Sequence, residues 1–146
     1  MSHFLEEYAK ALGVCASKPI VQDHFFPLVA TKYITISNEE AIPAKQYAHY
    51  PLVLELLKST LQAENIKVIQ IGGKAPIEGI DQILNLSFKQ QCFILSRSSL
   101  HLGCDGVLSH VASSKRIPTV NLFGNIFPSN NRPLFSPRSL NVNLAP

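Results

Sequence analysis

A carboxylate occupies a chemically useful position within residues 100–124. Asp105 follows a short apolar run and precedes Gly106 and a helical pattern, so it stands between a predicted strand and a predicted helix. An aspartate there can cap the helix by accepting hydrogen bonds from the free amides of its first turn. It can equally contact a ligand, because ligands of open parallel sheets bind outside the carboxyl ends of the strands. Position alone leaves both interpretations open.

A pair of glycines follows another buried-type strand. Residues 66–71 (IKVIQI) predict this strand, and Gly72 and Gly73 form the turn at its carboxyl end. Glycines at such a turn let the backbone approach a ligand closely. The G-x-G-x-x-G pattern is absent, so the pair does not indicate a dinucleotide site.

Strand and helix patterns alternate along the chain. Strands are predicted at 33–37, 66–71, 83–86, 100–104, 118–123 and 139–144, and helices at 4–12, 51–61, 88–95 and 107–116. Alternation of this kind predicts an α/β fold, a Rossmann-like parallel sheet with helices on both faces. We expect an N-terminal helix and linker at 1–31 and a Rossmann-like domain at 32–146. Residues 125–137 are expected to form a long loop.

The first predicted helix has its own signals at both ends. Ser2 precedes it as the expected N-cap and Gly13 follows it. Leu5, Tyr8, Ala9 and Leu12 share one face, which predicts a helix packed against the core.

Composition limits the partners. The chain has 146 residues, 46% of them hydrophobic, and a net charge of +3 without a basic cluster, so we expect a globular domain that does not bind nucleic acid. Three cysteines without metal-ligand spacing indicate reduced thiols and a cytoplasmic location. No metal is expected, and no stretch approaches the roughly 20 apolar residues of a membrane span.

The residues from Asp105 onward resemble the signature of glycosyltransferase family 9, the lipopolysaccharide heptosyltransferases and their relatives. That family has an Asp-Ser/Thr-Gly-x-x-His helix and then a Lys-Pro-Val-Val-x-Leu-Phe-Gly strand. Here Asp105, Gly106 and His110 stand in the helix, and residues 117–124 read IPTVNLFG. Gly106 replaces the family's hydroxyl residue, and residues 125–126 (Asn-Ile) replace its Pro-Thr. The resemblance covers 33–137 and, more weakly, 4–13, and it implies the C-terminal, donor-binding half of a B-type glycosyltransferase fold.

The resemblance also implies roles for single residues. Lys45, within Pro-Ala-Lys-Gln-Tyr, corresponds to a loop lysine that reaches the donor's phosphates, and Glu78 corresponds in order to a glutamate that holds the ribose hydroxyls. Asp105 would hold a sugar or ribose hydroxyl. His110 matches the family histidine, although it lies on another helix face than Asp105. The alternative is a core histidine with one ring nitrogen bonded to backbone. The full implied donor-binding set is Lys45, Gly72, Gly73, Glu78, Asp105, Gly106, His110 and Gly124.

The function implied is donor binding without an acceptor domain. In the family the base belongs to that other domain, so no catalytic residue is assigned in this chain, and hexosyl or heptosyl transfer would need an acceptor half. The expected ligand is a nucleotide-sugar without a further cofactor, and the expected protein partner is an acceptor-domain chain or a second copy. A non-catalytic nucleotide- or partner-binding module is the alternative, favoured by the hydroxyls missing at Gly106 and Ile126. An unrelated Rossmann-like protein, such as a nucleotide-sugar epimerase, would need an acidic pair in the cleft.

Overall fold

The computed structural model describes residues 3–38, 42–73, 75–83, 85–124 and 126–145. Its centre is a six-stranded sheet with the order β3-β2-β1-β4-β5-β6, and every neighbouring pair is parallel. The strands are β1 (Tyr33–Ser37), β2 (Lys67–Gln70), β3 (Asp81–Gln82), β4 (His101–Cys104), β5 (Thr119–Leu122) and β6 (Asn141–Leu144). The predicted α/β fold with a parallel sheet is confirmed. The strand order reverses between β1 and β4, and doubly wound sheets bind ligands at the carboxyl ends of the strands beside such a reversal.

Helices cover both faces of the sheet. They are α1 (Phe4–Ala11), α2 (Tyr50–Ala63), α3 (Phe88–Leu95), α4 (Val107–Ser114) and α5 (Pro128–Asn131). Tyr50 of α2 packs with Ile36, Leu102 and Cys104 on one face. On the other face α3 and α4 enclose a second cluster: Tyr33, Ile69, Ile71, Cys92, Ile94, Leu95, Leu108, Val111 and Ala112. The sheet therefore stands between two apolar layers, which fixes the positions of its strand ends.

The first helix differs from its prediction. Ser2 lies outside the described residues, and the N-cap is His3, whose side chain accepts from the Leu5 amide while Glu6 reaches back to the His3 amide. The expected core face is wrong, because Ala9 is the one residue of that face that is buried, whereas Tyr8 is 68% and Leu12 76% exposed. Periodicity correctly indicated a helix, and the rest of the described chain does not cover its apolar stripe.

Several boundaries shift by one to four residues. The predicted edge strand at 83–86 is found at Asp81–Gln82, with residue 84 outside the described ranges, and the last strand begins at Asn141 after a 3₁₀ turn, Arg138–Leu140. The expected loop at 125–137 contains the short helix α5, although residue 125 is not described. Within the expected linker, Val21, Phe26, Leu28 and Ala30 pack on the cluster beneath α3 and α4. The domain division at residue 31 stays a prediction.

Candidate ligand-binding site

A buried ion pair joins the loops that follow the two central strands. Lys45 ends a 3₁₀ turn (Pro43–Lys45) after β1, and Asp105 directly follows β4. Lys45 Nζ lies 2.8 Å from Asp105 Oδ2, and the two side chains are only 17% and 4% exposed. Asp105 Oδ2 accepts no hydrogen bond from another described residue, so the Lys45 ammonium is the group that compensates its burial. The sequence-predicted residues Lys45 and Asp105 therefore meet at the crevice beside the strand reversal.

The expectation that Asp105 caps the following helix is wrong. The N-cap of α4 is Gly106, which has an extended backbone (φ −161°, ψ 173°) and no side-chain cap. This extended residue moves the helix start one position along the chain, so the Asp105 carboxylate turns to Lys45 instead of the helix amides. The first amides of α4 keep no side-chain cap, and a helix N-terminus of this kind favours anions.

A residue that sequence analysis missed holds the other carboxylate oxygen. Asn131, the last residue of α5, donates a hydrogen bond from Nδ2 to Asp105 Oδ1. Asp105 is thus clamped between a cation from one loop and an amide from another. No spacing pattern could have indicated Asn131, because it lies in an aperiodic stretch 26 residues from its partner.

Gly124 sets the position of the Lys45 turn. A Cβ built on Gly124 would lie 2.2 Å from the carbonyl oxygen of Ala44, far inside van der Waals contact. The turn that carries Lys45 therefore packs directly on the backbone after β5. Gly124, expected as a site residue, acts through this close approach, and any side chain there would push Lys45 away from Asp105.

The predicted glycines line a small cavity at the same edge of the sheet. Gly72, Gly73 and Gly106 share a cavity of about 170 Å³ with Asn38 and with the α4 residue Leu108. Gly72 and Gly73 have φ values of +70° and +75°, which L side chains rarely adopt. Backbone rather than side chains thus forms much of the rim. Asn38 Oδ1 fixes the neighbouring loop by accepting from the Tyr47 amide at 3.0 Å.

His110 is half-buried on α4 near the ion pair. Burial lowers the pKa of His110, and the Asp105 carboxylate partly opposes this shift. Its ring makes no hydrogen bond to any other described residue, so the alternative of a core histidine bonded to backbone does not hold. His110 stays neutral at pH 7 with a ring nitrogen available.

Glu78 is the predicted site residue that does not join this cluster. It is exposed and lines a separate groove of about 520 Å³ between α2 and the β2–β3 edge, together with Glu55 and Lys58. The side chain of Gln70 fixes the segment after β2 in this position. Its Nε2 donates to the Ala75 carbonyl, and its Oε1 accepts from the Ile77 amide. A ribose role for Glu78 stays a prediction without support from its placement.

Comparison with solved structures gives the fold an independent reference. Heptosyltransferase WaaC of E. coli, in a structure with ADP, superposes with a TM-score of 0.65 at 19% identity over 96% of this chain. The dodecameric, iron-containing glycosyltransferase TibC of enterotoxigenic E. coli gives 0.64 at 22% identity over 86%. A family 9 glycosyl transferase of Veillonella parvula gives 0.63 at 16% over 97%. The fold is that of heptosyltransferases.

The match extends over part of those proteins. The chain spans 48% of WaaC, 37% of TibC and 39% of the Veillonella protein. No protein-family model and no curated protein matches the sequence. The expected resemblance to family 9 glycosyltransferases is therefore confirmed at the level of fold.

Two other kinds of feature, a metal site and a membrane-spanning helix, are absent from the described residues. No three His, Cys, Asp or Glu side chains in the described ranges are grouped so that they could hold a metal ion. Within the same ranges, no helix has the length and hydropathy needed to cross a bilayer.

Proposed function

We propose that this chain binds the nucleotide-diphosphate part of an activated sugar, as the donor-binding half of a heptosyltransferase-like glycosyltransferase. The observation that carries the proposal is the buried Lys45–Asp105 ion pair beside the strand reversal of a heptosyltransferase-like sheet. WaaC is seen with ADP and TibC with ADP-D-β-D-heptose, which supports a nucleotide as ligand.

The phosphates are assigned to Lys45 and to the start of α4. A lysine ammonium is a compact charge on a flexible stem, so Lys45 can exchange Asp105 for a phosphate oxygen. The uncapped amides of α4 add a second group that favours anions. Together they would stabilise the negative charge that grows on a leaving diphosphate.

The hydroxyls are assigned to Asp105. A carboxylate would repel phosphate, but it accepts hydrogen bonds from sugar or ribose hydroxyls. Asn131 holds Oδ1 and thereby fixes the carboxylate plane, so that Oδ2 faces the crevice once Lys45 moves to phosphate. The ligand class is one that presents an anion and a hydroxyl close together.

Calorimetric titration of the purified chain with ADP, UDP and GDP tests the proposal. Lys45→Ala is expected to weaken binding of the preferred nucleotide about tenfold, as loss of a charge-assisted contact does. Asp105→Ala is expected to weaken it less, because the lost hydroxyl contact is partly offset by release of Lys45. Lys32→Ala and Glu64→Ala are matched controls, since these two residues form an exposed ion pair before β1 and at the end of α2, away from the crevice. Unchanged affinity in both site variants would refute the assignment.

A binding module without transfer activity is the second candidate. Gly106 brings no hydroxyl to the phosphate position and no side-chain cap to α4, which favours this candidate. Measuring ADP release from ADP-glucose by the chain, alone and mixed with the acceptor half of a heptosyltransferase, separates the two. Binding without release in either sample supports the module, whereas release in the mixture supports the donor half.

A further inference from the structure

A second, mainly apolar pocket lies on the other side of Asp105. It is a depression of about 310 Å³, open to solvent, between α1 and the segment after α5, and its walls are Phe4, Leu5, Tyr8, Leu134 and Phe135. Three of these five residues are aromatic. The volume is at the lower end of the range of small-molecule pockets and fits a single ring with a small substituent.

Besides His3, three side chains with polar groups line this aromatic pocket: Tyr8, which is 68% exposed, Asn131 and the half-buried His110. His3 also lines it, but Nδ1 accepts from the Leu5 amide at 3.1 Å, so the ring proton is on Nε2, which donates to the Arg132 carbonyl at 2.8 Å. His110 lines the same pocket and makes no hydrogen bond to another described residue. Its lowered pKa keeps the ring neutral, able to accept one hydrogen bond.

The aromatic pocket is adjacent to the ion pair. Asn131 lines it while donating to Asp105, and His110 lies within the electrostatic influence of both Asp105 and Lys45. A ring in this pocket would therefore lie one side chain away from the proposed donor. No lysine, arginine or acidic residue is among the described residues that line it, so a charged ligand would meet no opposite charge there.

We propose that the aromatic pocket binds the ring of an uncharged phenol-type compound, with its hydroxyl group hydrogen-bonded to His110. The walls supply edge-to-face aromatic contacts, and the imidazole is the acceptor assigned to the hydroxyl. Binding of the phenol does not depend on the nucleotide site. That such a compound is the acceptor for the donor rests on the proposed function above.

Fluorine NMR titration of the full chain with three small probes tests this subsite. Para-fluorophenol is expected to bind saturably, and fluorobenzene about fivefold more weakly because it lacks the hydroxyl. Para-fluorobenzoate is expected not to bind. His110→Phe keeps an aromatic ring and is expected to abolish the preference for the phenol over fluorobenzene. Absence of saturable phenol binding, or an unchanged preference in His110→Phe, would overturn the proposal.

A matched pair of variants on α1 locates the binding. Tyr8→Ala is expected to weaken para-fluorophenol binding about fivefold through loss of an aromatic wall. Leu12→Ala, one turn further along and outside the pocket, is expected to leave it unchanged. Both side chains are exposed, so neither variant should unfold the chain. Equal loss in the two variants would contradict the assignment. Phenol binding without any nucleotide binding would refute the proposed function and leave the pocket assignment intact.

Discussion

Two buried polar clusters lie at opposite ends of β4, and they differ in charge. His101 begins the strand and is fully buried; its Nδ1 lies 3.0 Å from Thr35 Oγ1 and its Nε2 3.2 Å from Ser37 Oγ. We call these three residues the His101 network. Asp105 follows the same strand and faces a lysine. His101 and Asp105 are thus four positions apart, but the first belongs to a neutral cluster and the second to an ion pair.

The two clusters differ in the partners that each residue meets. Burial lowers the pKa of His101 to about 3, so the ring is neutral and its two nitrogens are satisfied by hydroxyls. A buried ion pair is costly to maintain, so one at a crevice is better explained by ligand binding than by stability. The comparison makes a buried carboxylate that faces a lysine at a strand end the candidate for function, and a buried histidine satisfied by hydroxyls a structural residue.

The largest expected effect is on stability, in the His101 network. His101→Ala would open a cavity and leave the hydroxyls of Thr35 and Ser37 without their ring partner, at a cost of about 3 kcal/mol in the free energy of unfolding. Urea unfolding measures this. Leu56→Ala, on the exposed side of α2, is the control and should change the free energy little. A loss below about 1 kcal/mol would show that the network is not structural.

Two glycines allow the clusters to be perturbed separately. A Cβ at Gly103 would lie 2.7 Å from His101 Nε2 and 2.8 Å from Ser37 Oγ, whereas one at Gly124 would meet the Ala44 backbone. Each Gly→Ala substitution is expected to cost about 2 kcal/mol by overpacking. Only Gly124→Ala should also weaken nucleotide binding, because it displaces the turn that carries Lys45. Equal effects on binding in both variants would mean that the clusters are not independent.

The coupling energy between Lys45 and Asp105 should be smaller than the two losses of stability described above. A double-mutant cycle with Lys45→Ala and Asp105→Ala is expected to give a coupling of about 1.5 kcal/mol, since the pair is mostly shielded from water. The exposed pair Lys32–Glu64, with N and O 2.9 Å apart, is the matched reference and should give less than about 0.5 kcal/mol. Similar couplings for the two pairs would argue that the Lys45–Asp105 contact is no more than a surface ion pair.

Local patterns predicted the scaffold because they reflect local physics. The β-branched run at 33–37 and the helix at 88–95 occur within their predicted bounds, the latter with Ser87 as N-cap. The position of Asp105 at the mouth of the sheet followed from the strand before it. Its partner Lys45 came from resemblance, since a loop lysine has no periodic signature.

The errors arose where tertiary contacts decide. The cap role of Asp105 failed because Gly106 adopts an extended backbone that no propensity indicates. The ribose role of Glu78 rests on its order along the chain, and because order does not determine on which side of β2 a loop returns, that role stays a prediction. Asn131 was missed because its contact depends on the fold of a stretch without periodicity. His101 was passed over because a histidine in an apolar strand carries no sign of its hydroxyl partners.

The smallest expected effect is a pH dependence that separates the neutral cluster from the charged one. Because the pKa of His101 is lower in the folded state, the unfolded chain binds the proton first, so stability is full above about pH 6.5 and falls as the pH decreases toward 3. Between pH 6.5 and 5.5, protonation of His101 in the unfolded chain lowers the free energy of unfolding by about 1 kcal/mol. His110, whose pKa is also lowered, adds in the same direction. Urea unfolding at both pH values should therefore show a smaller decrease for His101→Ala than for the unmodified chain, and identical decreases would contradict a neutral, buried His101.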